Sequence, residues 1–411
     1  MRRDPSRAML ALAVVLWGAA ACRGAEQAPP GDPGGHRVTF SVTVPEGTPT
    51  LYLAGNLSAL GPWAADGLAM SGEGATRTAT VTVTHAATFE YKFTLGSWDR
   101  EGLGPSGMVM PNFRVRVDRD TAVEHRIDSF KKDPIEYVAD WRGSGVLGTL
   151  VYWTDVSSAF LGPSRHVEIW LPPGYDQSPE ARYPVIYAAD GQNLFDPRIA
   201  NTGVDWGVDE AMVAGVEAGA HPPAIVVGVW NSGRRVQEYS PWHDAPRYAR
   251  FLVEELIPRV NAEFRTLTGP GNTFAMGSSM GGLLSFHLVK EHPEVFGACG
   301  CLSTHFPLSD AAVSGFTDGA GTGDDTPYVL KDIAAGETVP RGVRFSFDHG
   351  TLGLDATYDA THEAVRDWLL AQGLVEGRDF QVRRHEGADH NEASWRARLG
   401  DQLAWMLAPP R

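Results

Sequence analysis

Apolar and polar residues alternate with period two through much of the first third of the chain. The stretch Val38-Thr-Phe-Ser-Val-Thr-Val alternates in this way, as do Thr78-Ala-Thr-Val-Thr-Val-Thr and Thr88-Phe-Glu-Tyr-Lys-Phe. Short strands separated by Gly, Pro and Asn breaks, with no helical period between them, predict an antiparallel β-sandwich over residues 36–128. From Thr149 the texture changes. Val167–Leu171, Pro184–Ala189, Ala224–Trp230, Thr273–Met276, Val295–Leu302, Val343–Phe347 and Phe380–Arg384 read as strands. Helical spacing marks Tyr248–Phe264, Met280–Glu291, His362–Gln372 and Ala393–Ala408, and Pro293 closes the second of these. Strands alternating with helices predict a mainly parallel sheet covered on both faces, over residues 149–411. The two parts meet in a linker, residues 129–148, with its break at Lys131-Lys132-Asp133-Pro134. Gly315–Gly323, rich in Gly, Thr and Asp, reads as a loop or lid.

The N-terminus stands apart from this pattern. Arg2, Arg3 and Arg7 precede an apolar run, Met9 to Trp17, and then Gly18-Ala-Ala-Ala-Cys22. A basic start, a short apolar stretch and small residues make residues 1–22 a secretory signal. The run is too short for an ordinary spanning helix. Small residues before Cys22 resemble a bacterial lipobox, which would make Cys22 a lipidated N-terminus; Ala19 stands where a bulky aliphatic residue is usual. Residues 23–35 read as a tether. Localisation is then the cell envelope, the periplasm or the exterior.

Composition narrows the functions. The chain has 411 residues, 43% hydrophobic and 21% charged, enough for more than one core. Its 50 acids against 35 bases give a net charge of −15. That disfavours nucleic-acid partners and electrostatic docking to a membrane, so a lipid anchor is the one membrane contact expected. Cys299 and Cys301 lie on one face of a strand and read as buried core thiols without the partner set of a zinc site.

Gly277-Ser278-Ser279-Met280-Gly281 fits G-x-S-x-G. The motif alone is common by chance. Here it follows an apolar strand and opens a helix, which is where a nucleophile elbow belongs. The sharp turn pushes the Ser279 hydroxyl above the sheet and puts the Met280 N–H at a helix N-terminus, as an oxyanion donor. A serine needs a base. His390, in Gly387-Ala-Asp-His-Asn391 between the last strand and the last helix, fits best, with His385 as competitor. The acid is Asp355, in the loop after Val343–Phe347, in preference to Asp348, directly after that strand; the alternative for either is a helix cap, for which Asp355 is well placed. Asp190-Gly-Gln-Asn-Leu-Phe195 follows an early strand, and the Gln192 N–H is the candidate second oxyanion donor. No metal or cofactor is called for, because N–H donors can meet the charge of a tetrahedral intermediate. Trp206, Trp230, Arg234, Arg235, Trp242 and His305 are further candidates to line a cleft.

Leu171-Pro-Pro-Gly-Tyr-Asp176, Tyr183-Pro-Val-Ile-Tyr187, Asp190–Phe195, Gly277-Ser-Ser-Met-Gly-Gly282 and His390-Asn-Glu together resemble the putative esterase family over about residues 149–407. That family includes enterochelin esterase-like and feruloyl or acetyl xylan esterase-like α/β-hydrolases. The resemblance implies Ser279 as nucleophile and His390 as base, and leaves the acid less secure. Mycolyltransferases share the fold, so acyl transfer is an alternative. Residues 36–128 resemble starch-binding modules of the CBM20 type, through Leu53-Ala-Gly-Asn-Leu57, Leu60-Gly-Pro-Trp63, Phe89–Phe93, Trp98 and Pro111-Asn112. This implies a glycan partner held by Trp63, Trp98, Lys92 and Asn112, tryptophan faces stacking on sugar C–H faces. The expectation is an exported serine esterase acting on an acylated carbohydrate. The alternatives are a non-catalytic surface glycan-binding protein and an acyltransferase.

Overall fold

The structure is a computed structural model that describes residues 35–84, 86–104, 109–110, 112–132, 145–162, 164–317 and 321–408. The expected secretory signal with Cys22, all but the last residue of the expected tether, most of the charged linker and part of the Gly315–Gly323 stretch fall outside these residues.

Among its described residues the N-terminal region carries nine strands: β1 (His36–Thr43), β2 (Tyr52–Gly55), β3 (Leu68–Ala69), β4 (Thr76–Val83), β5 (Ala87–Thr94), β6 (Gly102–Leu103), β7 (Phe113–Val117), β8 (Thr121–Arg126) and β9 (Ser129–Phe130). They form a three-stranded sheet, β4-β1-β8, a four-stranded sheet, β3-β2-β5-β7, and the small pair β6-β9. The period-two pattern has its expected consequence: Val38, Phe40 and Val42 of β1 and Phe89, Tyr91 and Phe93 of β5 point into one shared core with Leu53 and Val117. One pairing departs from the antiparallel expectation. β8 runs parallel to β1, because the chain crosses between the sheets before it returns to that edge.

The C-terminal region is an eight-stranded sheet built from β10 (Thr149–Val156), β11 (Arg165–Leu171), β12 (Val185–Ala189), β13 (Ile225–Val229), β14 (Thr273–Ser278), β15 (Ala298–Leu302), β16 (Arg344–His349) and β17 (Phe380–Arg384). Its order is β10-β11-β13-β12-β14-β15-β16-β17. The first two strands pair antiparallel; every pairing from β13 to β17 is parallel. Helices α1 (Val208–Glu217) and α4 (Glu392–Leu407) cover one face, while α2 (Met280–Glu291) and α3 (Asp359–Ala371) cover the other. The central strands are buried on both sides. Phe274 and Met276 of β14 face α1 and α4, whereas Ala275 faces α2. Cys299 and Cys301 are free, buried and on one face of β15, as the spacing predicts.

The helix through Pro258 runs from Ala245 to Glu263, with a π-wound stretch at Phe251–Leu256. Proline has no N–H for the α-helical ladder, so the turn before it is where rewinding costs least. Helices Val208–Glu217 and Tyr328–Ala335 were not expected from the spacing. Both are short, and few of their residues are buried: Val208, Asp209 and Met212 in the first and Val329 in the second.

Burial gives the fold a pH dependence. His287 on α2 lies in the core side of its helix, and burial pushes its imidazole down to about 4, with Glu291 raising it and Lys290 and His292 lowering it. An unfolded histidine takes its proton near 6.5, so between that pH and about 4 the unfolded chain binds more protons than the folded one. Stability from neutral His287 is therefore complete above about pH 6.5 and drains away as pH falls. Replacing it by Gln removes this share. The stability difference between wild type and His287→Gln, from urea midpoints, is expected to shrink by on the order of 1 kcal/mol per pH unit between pH 6.5 and 4.5. A pH-independent difference would contradict this.

Candidate active site

Three residues at the carboxyl edge of the sheet hold positive φ despite having side chains: Asp190 after β12 (φ 60°), Ser279 after β14 (φ 54°) and Ser303 after β15 (φ 42°). Such conformations are costly and survive where surrounding structure enforces them, typically at functional sites. Ser279 is the most extreme, with ψ −119° at the junction of β14 and α2. Close packing enforces it. A Cβ on Gly277 would lie 2.5 Å from the Gly281 backbone, so the strand and helix meet only with glycine there. The Ser279 N–H donates to the Leu302 carbonyl at 2.8 Å. Met280 occupies the first helical position, where N–H groups have no intrahelical acceptor.

His390 is held just before α4 by capping. The Asn391 side chain accepts from the Ser394 N–H at 2.9 Å, and the Asp389 N–H donates to the Ser394 hydroxyl at 3.0 Å. The imidazole Nδ1 lies 2.6 Å from Asp355 Oδ1. That contact leaves Nε2 on the opposite edge of the ring. The ring is further boxed edge-on by Tyr358 and Trp395, with centroids at 5.6 and 5.1 Å.

Asp355 is fully buried and richly bonded: Oδ2 accepts from the Ser303 hydroxyl and from the Gly350 N–H, both at 2.6 Å. Burial alone would raise its carboxyl. The hydrogen bonds from His390, Ser303 and Gly350 outweigh it and hold the group below the ordinary carboxylate range. Ser303 is the hub, since its hydroxyl also accepts from Trp395 Nε1 at 2.9 Å and from Arg398 at 2.6 Å.

The structure separates the two candidate acids. β16 continues to His349, so Asp348 lies within the strand rather than after it. Strand parity then decides its direction. Phe345 and Phe347 face α2, while Asp348 points the other way and accepts from Arg398 Nε at 3.1 Å and Gln402 Nε2 at 2.7 Å on α4. The competitor base His385 lies 4.0 Å from Asp348, away from Asp355.

The loop carrying Gln192 is anchored by ion pairing. Asp190 accepts from Arg235 at 2.7 and 2.6 Å and from Asn231 at 2.7 Å, and the Gln192 side chain accepts from the Asn231 N–H at 3.2 Å. Arg235 also reaches the Ser278 carbonyl at 3.5 Å, tying this loop to the Ser279 turn. Gly191 is required here, because a Cβ would meet the Gly228 backbone at 2.5 Å. Tyr358, absent from the sequence reading, brings its buried hydroxyl to both Ser279 and His305 Nδ1. Burial pushes His305 down to about 3, so it stays neutral.

The other expected residues scatter. Trp230 and Arg235 line a cleft, but Trp206 is buried against Trp395, Trp242 donates to Asp332 at 2.9 Å, and Arg234 pairs with Asp244 at the surface. In the N-terminal region Trp63 and Trp98 are half-buried neighbours with centroids 6.2 Å apart. Lys92 departs from the expectation of a free sugar donor: it is buried and its ammonium is committed to Glu101. Asn112 is exposed and donates to Glu90 at 3.1 Å.

Residues 158–406 match the family model described as "Putative esterase". Among curated proteins, the chain is 24% identical over 162 residues to YbbA, an uncharacterised protein of Bacillus subtilis, covering 36% of this chain and 60% of that one. It is 26% identical over 204 residues to an endo-1,4-beta-xylanase/feruloyl esterase of Xylanibacter ruminicola, covering 46% of this chain and 27% of that one. The matches thus span less than two thirds of either relative. Among solved structures, the enterobactin esterase of Shigella flexneri in the presence of 2,3-di-hydroxy-N-benzoyl-serine superposes with a TM-score of 0.50 at 15% identity, over 90% of this chain and 92% of that one. That likeness is one of fold, and it extends through both regions of the chain.

Proposed function

Because the chain belongs to the putative esterase family and is a carboxylic ester hydrolase, we propose that it works through Ser279, His390 and Asp355 on the ester of an acylated carbohydrate. One observation carries the assignment: the 2.6 Å contact of His390 Nδ1 with buried Asp355, set beside the strained Ser279 turn. Asp355 holds the imidazole in the tautomer whose Nε2 is free to accept a proton. Ser279 Oγ attacks the ester carbonyl carbon as its proton passes to His390 Nε2. The oxyanion is met by the N–H groups of Met280 and Gln192. Collapse expels the alcohol, which takes the proton from His390 and leaves an acyl-Ser279 ester. Water then attacks that ester by the same route, and the carboxylic acid departs.

The sugar reading rests on two supports. The Xylanibacter relative is described as a feruloyl esterase joined to a xylanase. The N-terminal sheets share one core, in keeping with a β-sandwich module, and Trp63 and Trp98 lie beside one another in that region with ring centroids 6.2 Å apart. On this reading residues 36–128 are that module and residues 149–411 the esterase. The N-terminal pattern makes the protein exported and Cys22 its lipid anchor. Among the described residues no helix is long and apolar enough to cross a membrane.

Hydrolysis of p-nitrophenyl acetate and methyl ferulate tests the reaction. A burst of nitrophenol equal to the enzyme concentration, followed by a slower steady rate, is expected for an acyl-enzyme. Added alcohols should divert little of the acyl group. Dominant transfer to the alcohol would point to an acyltransferase. A folded protein that is retained on starch yet turns over neither ester would favour the binding-protein alternative.

A further inference from the structure

Trp63 and Trp98 do not face open solvent on a separate module. They form one wall of a cleft of about 840 Å³ whose other wall is the catalytic region, through Gln192, Trp230, Asn231 and Arg235. The two regions touch here, since Val109 packs within 3.0 Å of where a Cβ on Gly203 would lie. The cleft runs from the tryptophans to the loop that carries the Gln192 N–H and to Arg235, which reaches the Ser278 carbonyl. Thr202, also on its wall, hydrogen-bonds the carboxyl of Glu392, two residues beyond His390.

We propose that this cleft is a saccharide subsite of the catalytic centre, built jointly by both regions, that holds the sugar portion of the ester while the acyl group lies at Ser279. The inference rests on the esterase reading and extends it. Three features select an uncharged, hydroxyl-rich ligand. First, Trp63 and Trp98 are half-buried with rings inclined at 47°, a cradle suited to the C–H faces of sugar rings. Trp63 keeps φ 56°, a costly conformation for a large side chain, with its N–H fixed on the Gly55 carbonyl at 2.8 Å. Second, amides from both walls face the space: Asn112 from one, Gln192, Asn201 and Asn231 from the other. Third, four of the cations that line it are held in ion pairs with carboxylates. Lys92 and Lys131 share Glu101, Arg198 sits on Asp196, and Arg235 sits on Asp190. An anionic ligand would compete with the carboxylates that already hold these cations. The volume lies in the range that encloses a drug-sized ligand, far beyond the needs of a small acyl group.

Two esters of one acid test this: methyl ferulate, and ferulate carried on the arabinose of an arabino-xylotriose. Wild type should favour the saccharide ester in kcat/KM by roughly tenfold, the effect of one or two stacked rings. Trp98→Ala should erase that preference through KM and Trp63→Phe should reduce it, both leaving methyl ferulate within about twofold. Circular dichroism and the melting temperature check that each variant folds. A wild type without the preference, or variants that lose both esters by the same factor, would overturn the subsite and leave the esterase standing. Turnover of neither methyl ferulate nor p-nitrophenyl acetate would overturn the esterase reading and the subsite with it.

Discussion

Ser279→Ala is expected to lower kcat/KM for p-nitrophenyl acetate by roughly 10⁴-fold or more, with the melting temperature nearly unchanged. The size of the loss follows from the residue's position. Its hydroxyl is the atom the proposed reaction acylates, and the neighbouring serine, Ser278, is the buried last residue of β14 rather than the turn residue. The structural effect should be small because alanine retains the Cβ and meets the same backbone conformation that serine already tolerates at φ 54°. The Ser279 N–H bond to Leu302 is a backbone contact and survives the substitution. What remains would be the oxyanion donors and binding alone. Hydrolysis within tenfold of wild type would remove Ser279 from the mechanism.

Asp355→Asn and Asp348→Asn should separate cleanly. Asp355→Asn is expected to cut kcat by about 10²–10⁴-fold with KM little changed, because an amide stabilises the wrong imidazole tautomer and offers no charge to the imidazolium. Asp348→Asn is expected to act on stability. It strips the charge opposite Arg398, a pair with both side chains almost wholly buried. Breaking a buried pair costs up to about 3–5 kcal/mol, lessened here because Arg398 also lies 3.7 Å from the Asp355 carboxylate. The Asp348 variant should therefore melt well below wild type while its kcat, measured below that melting point, stays within about tenfold. Comparable kcat losses in both variants would show that the distinction drawn from strand parity is wrong. Direct urea titrations of the two proteins supply the other half of the comparison.

That distinction also marks where the sequence stopped being legible. Alternation identified β1, β4 and β5, and the run of buried strands from β11 to β17, since period-two patterns and short apolar runs leave a local signal. The G-x-S-x-G turn was legible because strand, glycines and helix are contiguous. The choice between Asp348 and Asp355 was not. It depends on β16 ending at His349 rather than Phe347, and strand ends leave little trace in hydropathy. Ser303 could not have been singled out as the hub of the acid's hydrogen bonds, because its partners Asp355, Trp395 and Arg398 lie 52 to 95 residues away. The Arg235–Asp190 pair spans 45 residues and is equally silent in the chain. Lys92 stands as a sugar donor only through the resemblance to starch-binding modules. It is instead buried with Glu101, nine residues on, and Lys131 completes the cluster. The facing of Trp63 and Trp98 toward the catalytic region depends on how two separately folded cores meet, a property that no local pattern encodes.

The most direct test of the account is the site of covalent capture. A fluorophosphonate reacts with an activated serine by losing fluoride, and peptide mass spectrometry then locates the adduct. The account predicts a single phosphonyl group, on the peptide containing Ser279, formed in step with the loss of esterase activity and absent from the Ser279→Ala protein. Full inactivation with the adduct on another residue, or an unlabelled protein that still hydrolyses esters, would contradict the proposal that Ser279 is the nucleophile.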